Sequence, residues 1–147
     1  SMRGFDGLDR YVIDYLVSEV LARHPQTNQD FLLQTSLLDR FCAPLCAAVT
    51  GRSATECQDT LEQLDRANLF VVTLDHKNGW YRYHHLFQRL LVNQLKRHFS
   101  TAEINLLHSR ASGWFAEEGL IEEALEQFEN GGQFLGPCEM LIAAGTR

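Results

Sequence analysis

No stretch of this sequence reads G-x-x-x-x-G-K-[ST], the loop whose backbone N–H groups cradle a triphosphate. The one adjacent glycine pair is Gly131-Gly132, and Gly4 and Gly7 are scattered near the start. Nucleotide hydrolysis by this chain alone is therefore not expected. No apolar run approaches the ~18 to 20 residues that a membrane-spanning helix needs. A signal peptide is also missing, because Arg3 is followed by Gly-Phe-Asp-Gly and not by an apolar stretch. Basic charge is in short supply: 13 Lys and Arg stand against 19 Asp and Glu, for a net charge of −6. That is the wrong sign for a chain whose main task is gripping phosphates. The shortage is greatest in residues 101–147, where Arg110 and Arg147 face eight acidic side chains.

What remains is ordinary globular material: 147 residues, 45% hydrophobic and 22% charged. This is the size of one domain or of two very small ones. A disordered tail, a collagen-like repeat and a small disulfide scaffold are excluded. Ser1-Met2 has the form of an expression scar, so the chain is expected to be cut from something longer. Cys42, Cys46, Cys57 and Cys138 lie in apolar helical contexts. Without a secretion signal they are expected to be buried, reduced thiols, and the cytoplasm is the expected compartment.

Helical spacing runs from Asp9 to His24, with Tyr11, Val12, Tyr15, Leu16 and Val20 on one stripe. Ile13, Val17 and Leu21 widen it, so this helix is expected to be largely covered. Pro25 ends it and opens a helix through Phe31, Leu32 and Leu33 towards Leu37 and Leu38. Pro44 starts a short helix that stops at Gly51. Ser53-Ala-Thr-Glu56 has capping-box spacing and opens a helix over Cys57, Leu61 and Leu64 that fades near Asn68. Leu69–Leu74 reads as a strand, Asp75–Gly79 as a hairpin loop, and Trp80–Tyr83 as the return strand. From His84 the period is helical again through Leu86, Phe87, Leu90, Leu91 and Leu95. Three helices followed by a hairpin is the order of a winged helix, placed at residues 27–98.

Ser100-Thr-Ala-Glu103 is a second capping box. Its helix passes Ile104, Leu107, Ala111, Trp114 and Phe115 and ends at Gly119. Another helix follows over Ile121–Glu129, with Gly131-Gly132 expected to break it before a third over Phe134–Ala144. Helix, tight turn, helix, with small residues at Ala111 and Ala124, is the pattern of a tetratricopeptide-type hairpin. Such a unit does not bury its face alone, so Phe134, Leu135, Leu141 and Ile142 are expected to leave an open apolar face. The fold class is thus mainly α: a winged helix followed by the start of a tetratricopeptide-like α-superhelix.

Chemistry-bearing residues are few. Cys42-x-x-x-Cys46 with His84 or His85 could be drawn as a zinc site. Pro44 lies between the thiols and no second pair has ligand spacing, so packing is the favoured role and no metal is expected. No nucleophile–base–orienter set is present, which argues against an enzyme. In a winged helix that reads DNA, the helix before the hairpin enters the major groove. Here that helix carries Glu56, Asp59, Glu62 and Asp65 against Arg66. Protein contact is favoured, with a DNA-binding winged-helix repressor as the alternative. Arg89, Lys96 and Arg97 read as a solvated face. His84-His85 falls at a strand-to-helix junction, where free helical N–H groups welcome anions. Equally, one ring could cap or pack while the other faces water.

Phe31-Leu-Leu-Gln-Thr-Ser-Leu-Leu-Asp-Arg40, Pro44-Leu-Cys-Ala-Ala-Val-Thr-Gly51, Leu61–Phe70 and Trp80-Tyr-Arg-Tyr-His-His-Leu-Phe87 follow one another in order. Together they resemble the middle of MalT-like, LuxR-type transcriptional regulators, which are STAND signal-transduction ATPases. Tyr11–Leu16 upstream, and Leu107-His-x-x-Ala111, Trp114-Phe115, Gly119 and Glu123-Ala-Leu125 downstream, extend the resemblance over nearly the whole chain. It implies that residues 1–26 are the last helix of an NTPase lid, 27–98 the winged helix, and 99–147 the first sensor repeat and the start of the next. It implies ATP or ADP with magnesium in the intact protein, although no cofactor is expected in this segment. The implied partners are the protein's own NTPase and sensor domains, a small-molecule or protein effector, and DNA only through a C-terminal domain absent here. One departure is Pro137, which falls where that family continues a helix. STAND relatives in apoptosis and plant immunity carry an apolar-His-Asp motif whose histidine contacts bound ADP. Tyr83-His84-His85-Leu86 is similar, so the resemblance implies that His84 is an ADP sensor, while His85 replaces the Asp.

Overall fold

The computed structural model describes residues 2–67, 71–75 and 77–132. The chain begins with helix α1 (Met2–Ala22), then α2 (Gln26–Thr35), α3 (Ala43–Thr50) and α4 (Ala54–Arg66). Strands β1 (Val71–Asp75) and β2 (Trp80–Tyr83) form an antiparallel hairpin. Helices α5 (His85–His98), α6 (Thr101–Glu117) and α7 (Ile121–Gly132) complete the described residues. This is the mainly helical winged-helix fold expected from the element order.

Local chemistry sets most boundaries. Pro44 occupies the first turn of α3, and Gly51 ends that helix in the left-handed region at φ 83°. Both capping boxes form. Ser53 Oγ accepts from the Glu56 backbone N–H at 3.1 Å, and Ser100 Oγ accepts from that of Glu103 at 3.1 Å. Each glutamate returns the bond to its cap residue's own N–H. In the hairpin loop the Asp75 carboxylate accepts from the Lys77 and Asn78 backbone N–H groups and from the Asn78 amide.

The winged-helix core draws on every helix of the domain. Phe31, Leu32, Leu38, Phe41, Leu45 and Leu61 are fully buried among α2, α3, α4 and the chain between α2 and α3. Leu91 and Leu95 seal it from α5. Phe41 adds a third strand-like rung to the wing. It exchanges backbone hydrogen bonds with Tyr81 at 2.9 and 2.8 Å, a pairing the sequence did not announce.

Two expectations need correction. Among the described side chains of α1, Val17 and Leu21 are buried and Val20 half-buried, while Tyr11 is 80% exposed and Val12, Tyr15 and Leu16 are also exposed. Helix α1 packs against α2 and α5, which leaves those exposed residues uncovered. Helix α2 stops at Thr35, before Leu37 and Leu38. There the Thr35 and Ser36 hydroxyls turn back onto the Phe31 and Leu33 carbonyls at 2.8 and 2.7 Å. Helix α7 takes in both Gly131 and Gly132, where the described residues end. A Cβ at Gly131 would lie 2.2 Å from that of His108, so this glycine lets α7 approach α6 closely. Cys138, Phe134, Leu135, Leu141, Ile142 and Pro137 lie outside the described residues.

Candidate functional site

His84 stands between two anchored aromatic rings. Before it, Tyr83 is buried at the end of β2, its hydroxyl 2.7 Å from Thr35 Oγ1 and its ring centroid 4.7 Å from that of Phe41. Burial raises the Tyr83 pKa, so the hydroxyl stays neutral. After it, Phe87 is buried with its ring centroid 5.9 Å from that of Tyr83. The His84 backbone is held by this packing and by its carbonyl, which accepts from the Gln88 N–H at 2.8 Å. Its imidazole makes no capping bond and is exposed at the N-cap position of α5. A fixed backbone with an exposed ring at a helix start is an arrangement that can meet an anion. His85 is exposed as well.

The three described thiols are packed in the core. Cys42, Cys46 and Cys57 are buried and free. Desolvation raises all three pKa values, Cys46 most strongly, with Cys57 and Cys42 beside it adding to the shift. Thiolate nucleophiles and ligands need the opposite shift. Among the described residues no group of three His, Cys, Asp or Glu side chains is arranged to hold a metal. The outward face of α4 is acidic: Glu56, Asp59 and Glu62 are exposed, and Asp65 is half-buried. Arg89, Lys96 and Arg97 are exposed on α5, and Arg97 reaches Asp14 of α1 at 3.4 Å.

The joint between winged helix and helical pair was not visible in the sequence. Arg40, in the segment between α2 and α3, lies 4.2 Å from the centroid of the Trp80 ring. It donates to the Glu123 carboxylate of α7 at 2.8 Å. Trp80 meets Trp114 of α6 edge-on, centroids 6.1 Å apart. Arg110 of α6 donates to the Val49 carbonyl, the orphan end of α3, at 3.1 Å. A hidden signal existed in Arg40, a cation beside buried Phe41, and in Trp80 at the start of β2, but nothing local paired them with α6 or α7.

A family model described as the MalT winged helix domain matches residues 17–103, which takes in α2 to α5 and both strands. The chain belongs to the MalT winged helix domain family. Among its curated relatives, the serine/threonine-protein kinase PknK of Mycobacterium tuberculosis is 32% identical over 125 residues, 85% of this chain and 11% of the relative. The HTH-type transcriptional regulator MalT of Vibrio cholerae is 35% identical over 101 residues, 69% of this chain and 11% of the relative. MalT of Klebsiella pneumoniae is 32% identical over 126 residues, 85% of this chain and 14% of the relative. The chain thus spans a small share of the length of the relatives it matches, and that share is the MalT-type winged helix with its flanking helices. No helix among the described residues is long and apolar enough to cross a membrane.

Proposed function

We propose that this chain is the regulatory segment of a longer, ATP-dependent, LuxR-type transcription regulator, working in the cytoplasm. In this reading the winged helix holds the parent's nucleotide-binding domain in an ADP-bound resting state. The helical pair begins a tetratricopeptide-like sensor that relays effector binding. The mechanism is a two-state interface, shifted by ligands that bind the two states with different affinity. The segment itself does no catalysis. ATP or ADP with magnesium belongs to the parent, and DNA is met through a separate C-terminal domain.

The observation that carries this reading is the outward face of α4. A helix offering Glu56, Asp59 and Glu62 to solvent suits protein contact and repels phosphates. The relatives support it: they share this region and are named as transcriptional regulators and, in one case, as a kinase. A module shared by different outputs is suited to passing on a state. The free ring of His84 on a fixed backbone supports a contact with the ADP phosphates.

The test is His84→Ala. Losing a hydrogen bond to a charged group costs about 1 to 3 kcal/mol. An equilibrium near balance then shifts about five- to 150-fold towards the active form. The segment should keep its melting temperature, and the full-length protein should gain reporter output without effector. A large drop in melting temperature with no gain in basal output rejects the sensor role. The alternative, a DNA-binding repressor, requires that the chain bind duplex DNA with an affinity that falls steeply with salt. No such binding is expected.

A further inference from the structure

A cleft of about 620 Å³ opens where α1, α2 and α5 meet, next to the start of α6. This volume is in the range of small-molecule sites. Its apolar walls are Leu21, Leu33 and Phe99. Its polar side includes Asp30, Glu103 and Gln94; His98 also lines it, and no Lys or Arg does. Helices α1 and α5 end at the cleft while α2 and α6 begin there, so their dipoles oppose one another and the side chains decide the sign of the field.

Gln94 is the informative residue. It is only 6% exposed. Its amide nitrogen donates to Ser18 Oγ at 3.1 Å and to Asp14 Oδ1 at 3.4 Å. Both N–H donors are thereby used, whereas its carbonyl oxygen accepts no hydrogen bond among the described residues. A buried amide oxygen without a donor is costly and calls for a partner.

We infer that this cleft is a binding site for a small organic cation with several N–H donors, an amine or guanidinium compound. The Gln94 carbonyl would accept one donor, and Asp30 and Glu103 would balance the positive charge. The apolar walls would cover the ligand's carbon chain. Phosphate compounds are disfavoured by the two carboxylates. The site is independent of the His84 reading, since it lies at the other end of α5. A ligand there would touch α1 and the winged helix together and stiffen the link between them.

The test uses agmatine as the probe, titrated into the 147-residue chain and followed by amide chemical shifts. Saturable shifts at Leu21, Leu33 and Phe99 are expected. The double variant Asp30→Asn, Glu103→Gln should weaken binding about tenfold, since two charge-assisted contacts become neutral ones. Glutamine at position 103 can still serve the capping box, so this variant keeps its helix start. Gln94→Met should weaken binding by a similar factor. If Gln94→Met perturbs α1, the double variant still decides the matter. Three outcomes overturn the site: no saturable shift, as when water alone occupies the cleft; shifts spread equally over the acidic α7; or affinity unchanged in the double variant.

Discussion

The winged helix and the helical pair beside it bury apolar side chains in different ways. In the first, residues from α2, α3, α4, α5 and the wing converge, and Phe31, Phe41, Leu45 and Leu91 are fully covered. In the second, α6 and α7 face each other through Leu107, Ala111, Phe115 and Ala124, while Ile121, Leu125 and Phe128 on α7 stay more than half exposed. The first surface closes on itself. The second is a layer with one side used, which is how repeat units behave when each relies on its neighbours. A closed core favours one rigid state, and an open layer can answer to what is placed against it.

The comparison can be broken most forcefully by matched leucine truncations. Leu91→Ala should cost about 3 kcal/mol, because a fully buried methyl pair leaves a cavity in packed surroundings. Leu125→Ala, at 56% exposure, should cost less than about 0.5 kcal/mol. Urea titrations of both variants check this; equal losses would mean that α7 is as tightly enclosed as α5.

A second variant sharpens the contrast within the helical pair. Gly131→Ala places a methyl on the His108 side chain and should cost about 1 to 3 kcal/mol of local stability. Amide exchange should accelerate in α6 and α7 and stay unchanged in α2 to α5. Uniform acceleration throughout the chain would show that the two regions unfold as one.

The smallest effect concerns their joint. The Glu123 carboxyl is held below its ordinary value of 4.5, first by its own backbone N–H and then by Arg40. A folded-state pKa below the unfolded one contributes stability that is present above 4.5 and lost as pH falls through the lowered value. The pair is part-exposed, so the effect should resemble that of a surface ion pair. Glu123→Gln should flatten this acid-side slope in thermal melts. A slope identical to that of the parent chain would assign it to other carboxylates.

How much of this was legible in the sequence follows from distance along the chain. Ser53 with Glu56, Ser100 with Glu103, and Pro44 with Gly51 act over a few residues, and each sets its helix end as expected. The switch from strand to helix at His84 was visible for the same reason. The Phe41–Tyr81 rung and the Arg40–Glu123 pair join residues far apart, and no local pattern encodes them. The close approach of Gly131 to His108 joins residues 23 apart, so no local pattern announced it. The width of the α1 stripe could not say which half finds a neighbour. The Gln94 cleft is assembled from several helices, so its residues carry no shared spacing.

The chain has two tryptophans, and both sit in the joint. Trp80 belongs to the wing and Trp114 to α6, with ring centroids 6.1 Å apart and the Arg40 guanidinium on the face of Trp80. Their emission and near-ultraviolet dichroism therefore report the seating of winged helix on helical pair with no added label. Separation of the rings would abolish their mutual coupling and move the Trp80 emission as the cation leaves its face. Light alone can thus follow the hand-over between the two regions in the unmodified protein.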